Sequence, residues 1–168
     1  MTQHVILPII IIVVIAAFVV FLKKKFGVNE YDERQEQIRG TAYKLAFFAV
    51  LIASAAYSIF IRFYERPLMQ DGVSTMLAAL FGVMVFAVVC IWKDAFFSIK
   101  NSPTSYILLI TAVVIFEGYT GFMKIKDGQI FEDGLLTFNV CYPAMTVVFL
   151  VILVTILLKL FVLKERED

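Results

Sequence analysis

Charge is scarce in this chain. Asp, Glu, Lys and Arg make up 17% of its 168 residues, against about 25% in a typical soluble domain. Histidine occurs once, cysteine twice and proline four times. A single histidine, His4, cannot anchor a multi-histidine metal site. Two cysteines, Cys90 and Cys141, with no Cys-x-x-Cys spacing exclude a disulfide scaffold, a thioredoxin-like redox pair and the usual zinc signatures. A net charge of +1 gives no electrostatic argument for nucleic acid.

What is abundant is apolar surface. Hydrophobic residues reach 61% and mean hydropathy is +0.90. One water-soluble core of this length cannot bury so much, so a disordered chain and an ordinary cytosolic enzyme are excluded. The expected class is an all-α integral membrane bundle, with residues 1–168 as one transmembrane domain. Its expected surroundings are a lipid bilayer, with a cytosolic or membrane protein partner and self-association both compatible with the pattern.

Crossing a hydrocarbon core of about 30 Å takes about 20 helical residues. Five segments qualify: residues 5–22, 45–63, 73–92, 105–122 and 135–158. The second reaches residue 63 because Arg62 can snorkel. Lipid requires each backbone group to be satisfied locally, so these are expected as helices. Positive charges follow the first segment (Lys23, Lys24, Lys25) rather than precede it, which predicts a retained anchor with its N-terminus outside, not a cleaved signal. On that assignment eleven Lys and Arg fall on the inner side and four on the outer. The positive-inside rule then favours N-out, C-in. Trp92, Tyr64 and Tyr119 fall near segment ends, as in an interfacial aromatic belt.

Local signals fill in the connections. Asn29 and Asp32 suggest a capping box for a cytoplasmic helix over residues 29–44 that leads into the second span. Glu30, Asp32 and Glu33 then occupy its first turn, where the helix dipole favours anions. Tyr31, Ile38, Ala42 and Leu45 form one stripe, and Gly40 is the expected bend at the membrane surface. Ser74 is expected to cap the third span, and Ser102-Pro103 to open the fourth. Asp127-Gly128 suggests a hairpin turn with residues 124–126 facing 129–131.

Tyr31-Asp32-Glu33-Arg34-Gln35, then Ile38-Arg39-Gly40, then Ala42-Tyr43-Lys44 and an apolar helix, resembles the juxtamembrane segment of small uncharacterised polytopic membrane proteins of Gram-positive bacteria. The resemblance covers about residues 31–48. It implies no established activity. It implies a regulatory or accessory role, because such proteins are often found beside helix-turn-helix regulators or transporters. Tyr31, Asp32, Glu33, Arg34, Glu36 and Arg39 are the candidate partner-docking residues; the alternative is an amphipathic lead-in that lies on the lipid surface.

Within the spans, Glu117 stands out. It lies about 18 Å along its helix from residue 105, deep enough that an unpaired carboxylate would cost several kcal/mol. It is expected to be neutral, paired or facing water. Arg62, Asn139, Tyr142 and His4 reach a similar level on the same side. With Pro143 expected to free the Asn139 carbonyl, these residues define a candidate outward-opening pocket for a small ligand or a proton. The alternative is a structural Glu117–Arg62 pair.

Sequence signals for catalysis are weak. There is no HExxH, GxSxG, phosphate-binding glycine loop or paired intramembrane aspartate. No catalytic residue, metal site or cofactor is therefore expected. The leading expectation is a non-enzymatic accessory, regulatory or sensor subunit that binds a protein partner. Behind it stand a small transporter, channel or permeability component using Glu117, and a membrane enzyme acting on lipid or quinone.

Overall fold

The computed structural model describes residues 31–98 and 103–164. The first apolar segment, residues 5–22, lies outside them. Four helices run through the described part: α1 (Glu33–Tyr64), α2 (Val73–Trp92), α3 (Pro103–Lys126) and α4 (Cys141–Lys164). All four are long and apolar enough to cross a membrane. Between α3 and α4 lie two short strands, β1 (Phe131–Glu132) and β2 (Leu135–Leu136), and a 3₁₀ turn over Phe138–Val140.

Packing follows a single order: α1 lies on α2, α2 on α4, and α4 on α3. Gln35 near the start of α1 meets Asp94 just past the end of α2, so these two helices are antiparallel. Lys159 near the end of α4 also meets Asp94, so α2 and α4 run the same way. Gly121 late in α3 faces Pro143 early in α4, which makes that pair antiparallel. Chain direction thus alternates from helix to helix, as short connections require.

The core sits among α2, α3 and α4, where Ala87, Ile91, Ile110, Val148, Ile152 and Ile156 pack together. By contrast, α1 buries a single residue fully, Ala42. Large apolar side chains cover the outside of the bundle: Ile52 is 68% exposed, Leu108 74% and Phe63 80%. A water-soluble monomer rarely shows contiguous apolar surface on this scale; helices set in lipid do, because lipid is as apolar as they are.

Helix ends explain where the elements stop, and several differ from expectation. Asp32 rather than Asn29 caps α1. Its carboxylate accepts from the Gln35 N–H at 2.6 Å, while the Gln35 side chain accepts from the Asp32 N–H at 3.3 Å. This is a capping box with Gln in the third position. From there α1 runs on through Gly40 as one helix of about 48 Å. Nothing lies within 4 Å of a Cβ built on Gly40, so no neighbour forces a bend there. Gly72 caps α2 in place of Ser74, with a φ of 85°. Pro103 is the first residue of α3, where its missing N–H would be unsatisfied anyway.

The expected hairpin over residues 124–131 is replaced by another one. Helix α3 continues to Lys126, and Gly128 (φ 68°) ends it. The Gln129 N–H bonds to the Lys124 carbonyl at 3.0 Å and the Gly128 N–H to the Ile125 carbonyl at 3.1 Å, the Schellman pattern. Lys124 and Lys126 in the last turn complement the negative end of the helix dipole. The hairpin turn is instead Asp133-Gly134, with φ of 50° and 79°, joining Glu132 and Leu135. Positive φ at both central residues is what a type I′ turn needs. Leu68 and Gln70 bond to the other side of Leu136, so Leu136 is held between Phe131 of β1 and the segment that follows α1.

Because residues 135–136 form that strand, the last helix begins at Cys141 rather than Leu135. Pro143 therefore falls in its first turn, where it breaks no intrahelical bond. The Cys141 N–H reaches the carbonyls of Phe138 and Asn139. No kink is needed, and the Asn139 carbonyl is not left free.

Candidate functional site

The structure divides the sequence-derived candidates between the two ends of the bundle and its middle. His4 lies outside the described residues. Arg62 is exposed on α1 beside Ile61 and Glu65, which line the same shallow cleft. Asn139 sits in the 3₁₀ turn that opens the last apolar span, Phe138–Phe161, and its amide donates to the Gln129 carbonyl at 3.0 Å. With Gln70, Glu132 and Thr137 it lines an open cleft of about 420 Å³ beside the hairpin. Tyr142 is in the first turn of α4, where its carbonyl accepts from the Thr146 hydroxyl at 3.0 Å.

Glu117 is alone among these in the α3–α4 interface. It follows Ile110 and Val114, both part of the core packing, at helical spacing, and precedes Gly121, which abuts Pro143. One carboxyl oxygen, Oε2, is fully buried with no hydrogen-bond partner. Nearby hydroxyls do not serve it: Thr120 donates to Phe116 and Thr146 to Tyr142 within their own helices. Arg62 does not serve it either, because α1 packs on α2 and the two residues form no ion pair. Among the four described members of the expected pocket, no hydrogen bond or ion pair joins Glu117 to Arg62, Asn139 or Tyr142, and its Oε2 is left without a partner.

At the opposite end of the bundle from the hairpin, the motif-bearing turns of α1 are tied to the connection between α2 and α3. The Gln35 amide donates to the Asp94 carbonyl at 2.9 Å and to the Phe97 carbonyl at 3.3 Å. Arg39 donates to the Ala95 carbonyl at 3.2 Å. Its guanidinium lies over the Tyr31 ring at 4.0 Å and over the Phe86 ring at 5.3 Å, and Phe86 stacks on Tyr43 at 4.4 Å. Cation–π contacts of this kind add about 0.5–2 kcal/mol each. Burial pushes the Tyr31 phenol above its usual range, and Arg39 opposes part of that rise.

The receiving loop is itself locked. The Ala95 N–H bonds back to Cys90 at 2.8 Å and the Asp94 N–H to Ile91 at 3.3 Å, a second Schellman pattern, with Asp94 at φ 58°. Lys159 on α4 donates to the Trp92 carbonyl at 3.1 Å and to the Asp94 carboxylate at 3.2 Å. So α1, the α2–α3 loop and α4 share one polar junction.

This sorts the candidate docking residues. Tyr31, Asp32 and Arg39 are committed to the junction, together with Gln35, which sequence reasoning left out. The signal was present: Tyr31, Gln35, Arg39, Ala42 and Ala46 recur at spacings of four and three, the stripe that faces a neighbour. Glu33, Arg34 and Glu36 point away and are exposed. Among the described residues, no group of His, Cys, Asp or Glu is placed to hold a metal ion. No family model, curated protein or solved structure matches this chain.

Proposed function

We propose that this chain is a non-enzymatic, multi-pass protein of the bacterial cell membrane that works by binding a protein partner, as an accessory or regulatory subunit. The observation that carries this reading is the tethering of the first two turns of α1. Gln35 and Arg39 fasten them to three carbonyls of the α2–α3 loop, while Glu33, Arg34 and Glu36 stay exposed. A pre-ordered charged surface binds a partner without a large ordering cost. The same reading takes residues 5–22 as a further span, with N-out, C-in orientation from the distribution of Lys and Arg, and puts the tethered turns on the cytosolic side.

A photo-crosslinker at Gln37 in native membranes tests it. One discrete protein adduct is expected, abolished by reversing the charges of Glu33 and Glu36. Adducts with lipid alone, or an adduct indifferent to the reversal, would overturn the reading.

A second reading rests on Glu117, whose Oε2 is buried without a partner inside a span. A lone intramembrane carboxyl suits passage of a proton or small cation through an assembly of several copies. Proteoliposomes would then show a flux that Glu117→Gln removes. Absence of flux, or flux that persists in the variant, would rule it out.

A further inference from the structure

Two grooves flank the contact between α1 and α2. One is mainly apolar and runs past Tyr43, Phe47 and Val50. The other, of about 490 Å³, has a different chemistry along its length. Its mouth carries two cations, Arg34 from the first turn of α1 and Lys93 from the end of α2. The rest of its lining mixes the apolar Ile38, Leu45 and Val89 with the polar side chains of Gln37 and Thr41. At 1.5 Å per residue, Leu45 lies about 16 Å along α1 from Arg34.

Neither cation is spent on another described residue. Arg34 and Lys93 form no hydrogen bond or ion pair with another described residue, and the nearby Asp94 carboxylate is taken by Lys159. Thr41, on the same wall, donates its hydroxyl to the Gln37 carbonyl at 3.2 Å. What remains is a paired positive mouth over a partly apolar groove, at the level where the apolar run of α2 ends. Trp92, which favours the headgroup region, precedes Lys93 in sequence, with the Lys159 ammonium 6.0 Å from its ring.

We infer that this groove is a site for an anionic phospholipid of the surrounding membrane. Arg34 and Lys93 hold the phosphodiester, and the upper part of an acyl chain lies along Ile38, Leu45 and Val89. Guanidinium supplies two parallel donors to a phosphate and the ammonium a compact second charge. Basic clefts between membrane helices on the cytoplasmic side are suited to such headgroups. A zwitterionic lipid gains less, because its own ammonium competes with the two cations.

Trp92, the chain's one tryptophan, gives a direct readout. The full chain is reconstituted in phosphatidylcholine vesicles doped with phosphatidylglycerol or phosphatidylcholine, brominated on the acyl carbons nearest the glycerol. Brominated phosphatidylglycerol is expected to quench Trp92 at roughly a tenth of the mole fraction that brominated phosphatidylcholine needs. Arg34→Gln and Lys93→Gln should each weaken this preference and together remove it. Arg34→Lys, which keeps the charge, should retain most of it, and Arg66→Gln at the other end of the bundle should retain all of it. Helix content by circular dichroism and Trp92 emission in pure phosphatidylcholine verify that each variant is folded. Equal quenching by the two lipids would overturn the proposal, as would a preference that survives the double substitution. A preference abolished by excess soluble glycerol phosphate would assign the site to a free phosphate instead and also overturn it.

Discussion

The side-chain amide of Gln35 donates to the backbone carbonyl of Asp94 at 2.9 Å, across 59 positions of sequence. The same side chain accepts from Asp32 N–H, so one residue closes the helix cap and ties it to the α2–α3 loop. Gln35→Ala is expected to lower stability by about 1–2 kcal/mol. Gln35→Glu should cost more. It keeps the acceptor for the cap but sets a carboxylate against the carbonyls of Asp94 and Phe97. Thermal unfolding in detergent measures both, and hydrogen exchange should rise together at the start of α1 and at residues 95–97.

Two glycines should respond with opposite sign. A Cβ on Gly121 would stand 3.0 Å from the backbone nitrogen of Pro143 and 3.3 Å from its Cα. Backbone cannot turn aside as a side chain does, so Gly121→Ala is expected to lose about 1–3 kcal/mol by forcing α3 from α4. Gly40, exposed in mid-helix with open space around it, should gain up to about 1 kcal/mol on substitution by Ala. Unfolding of the two variants side by side checks the contrast.

Tyr31 gives the junction an alkaline limit. Burial raises its folded-state pKa above the 10.0 of a free phenol. The fold therefore favours the neutral phenol, and this contribution is full below pH 10.0 and declines as the pH rises through the elevated folded value. Tyr31→Phe keeps the ring against Arg39 but cannot ionise. The stability difference between wild type and Tyr31→Phe should be constant through neutral pH and should shift against the wild type at strongly alkaline pH. A constant difference across the whole range would refute the assignment.

Glu117 is expected to cost stability. Its Oε2 is buried with no partner, and such a group forfeits about 1–3 kcal/mol of solvation. Glu117→Met, similar in length and apolar, should raise the melting temperature of the bundle. A lower one would mean that the carboxyl is held by an interaction worth more than its desolvation.

Much of the fold is legible residue by residue. The α2 span, Val73–Trp92, coincides with its apolar run, because the run is bounded by Gly72 and Lys93. The candidate pocket was less legible. Asn139 and Tyr142 lie at the very start of the last span rather than well inside it, because hydropathy alone does not distinguish the strand that Leu135 and Leu136 form from a helix. Their pairing partners Leu68 and Gln70 are more than 60 positions away in sequence, and no local property announces them. Gln35 was overlooked for a similar reason: a polar residue in the first turn of a helix looks solvated until the loop it grips is known.

The chain contains Asp-Gly three times, at 71–72, 127–128 and 133–134. Composition and periodicity alone determined that long apolar helices are present, and the Asp127-Gly128 turn signal that Gly128 would be left-handed, at φ 68°; Gly72 and Gly134, at 85° and 79°, are left-handed as well. Composition and periodicity also placed three of the four described helices to within about four residues, while the last begins at Cys141 rather than Leu135. Tertiary structure decided which Asp-Gly ends a helix and which turns a hairpin. It also decided that Arg39 faces a loop while Arg34 and Lys93 face a groove. Local sequence sets a backbone preference of about 1 kcal/mol per residue; the choice between two such sites rests on distant partners, here the Leu68–Leu136 pairing and the packing of α3 on α4.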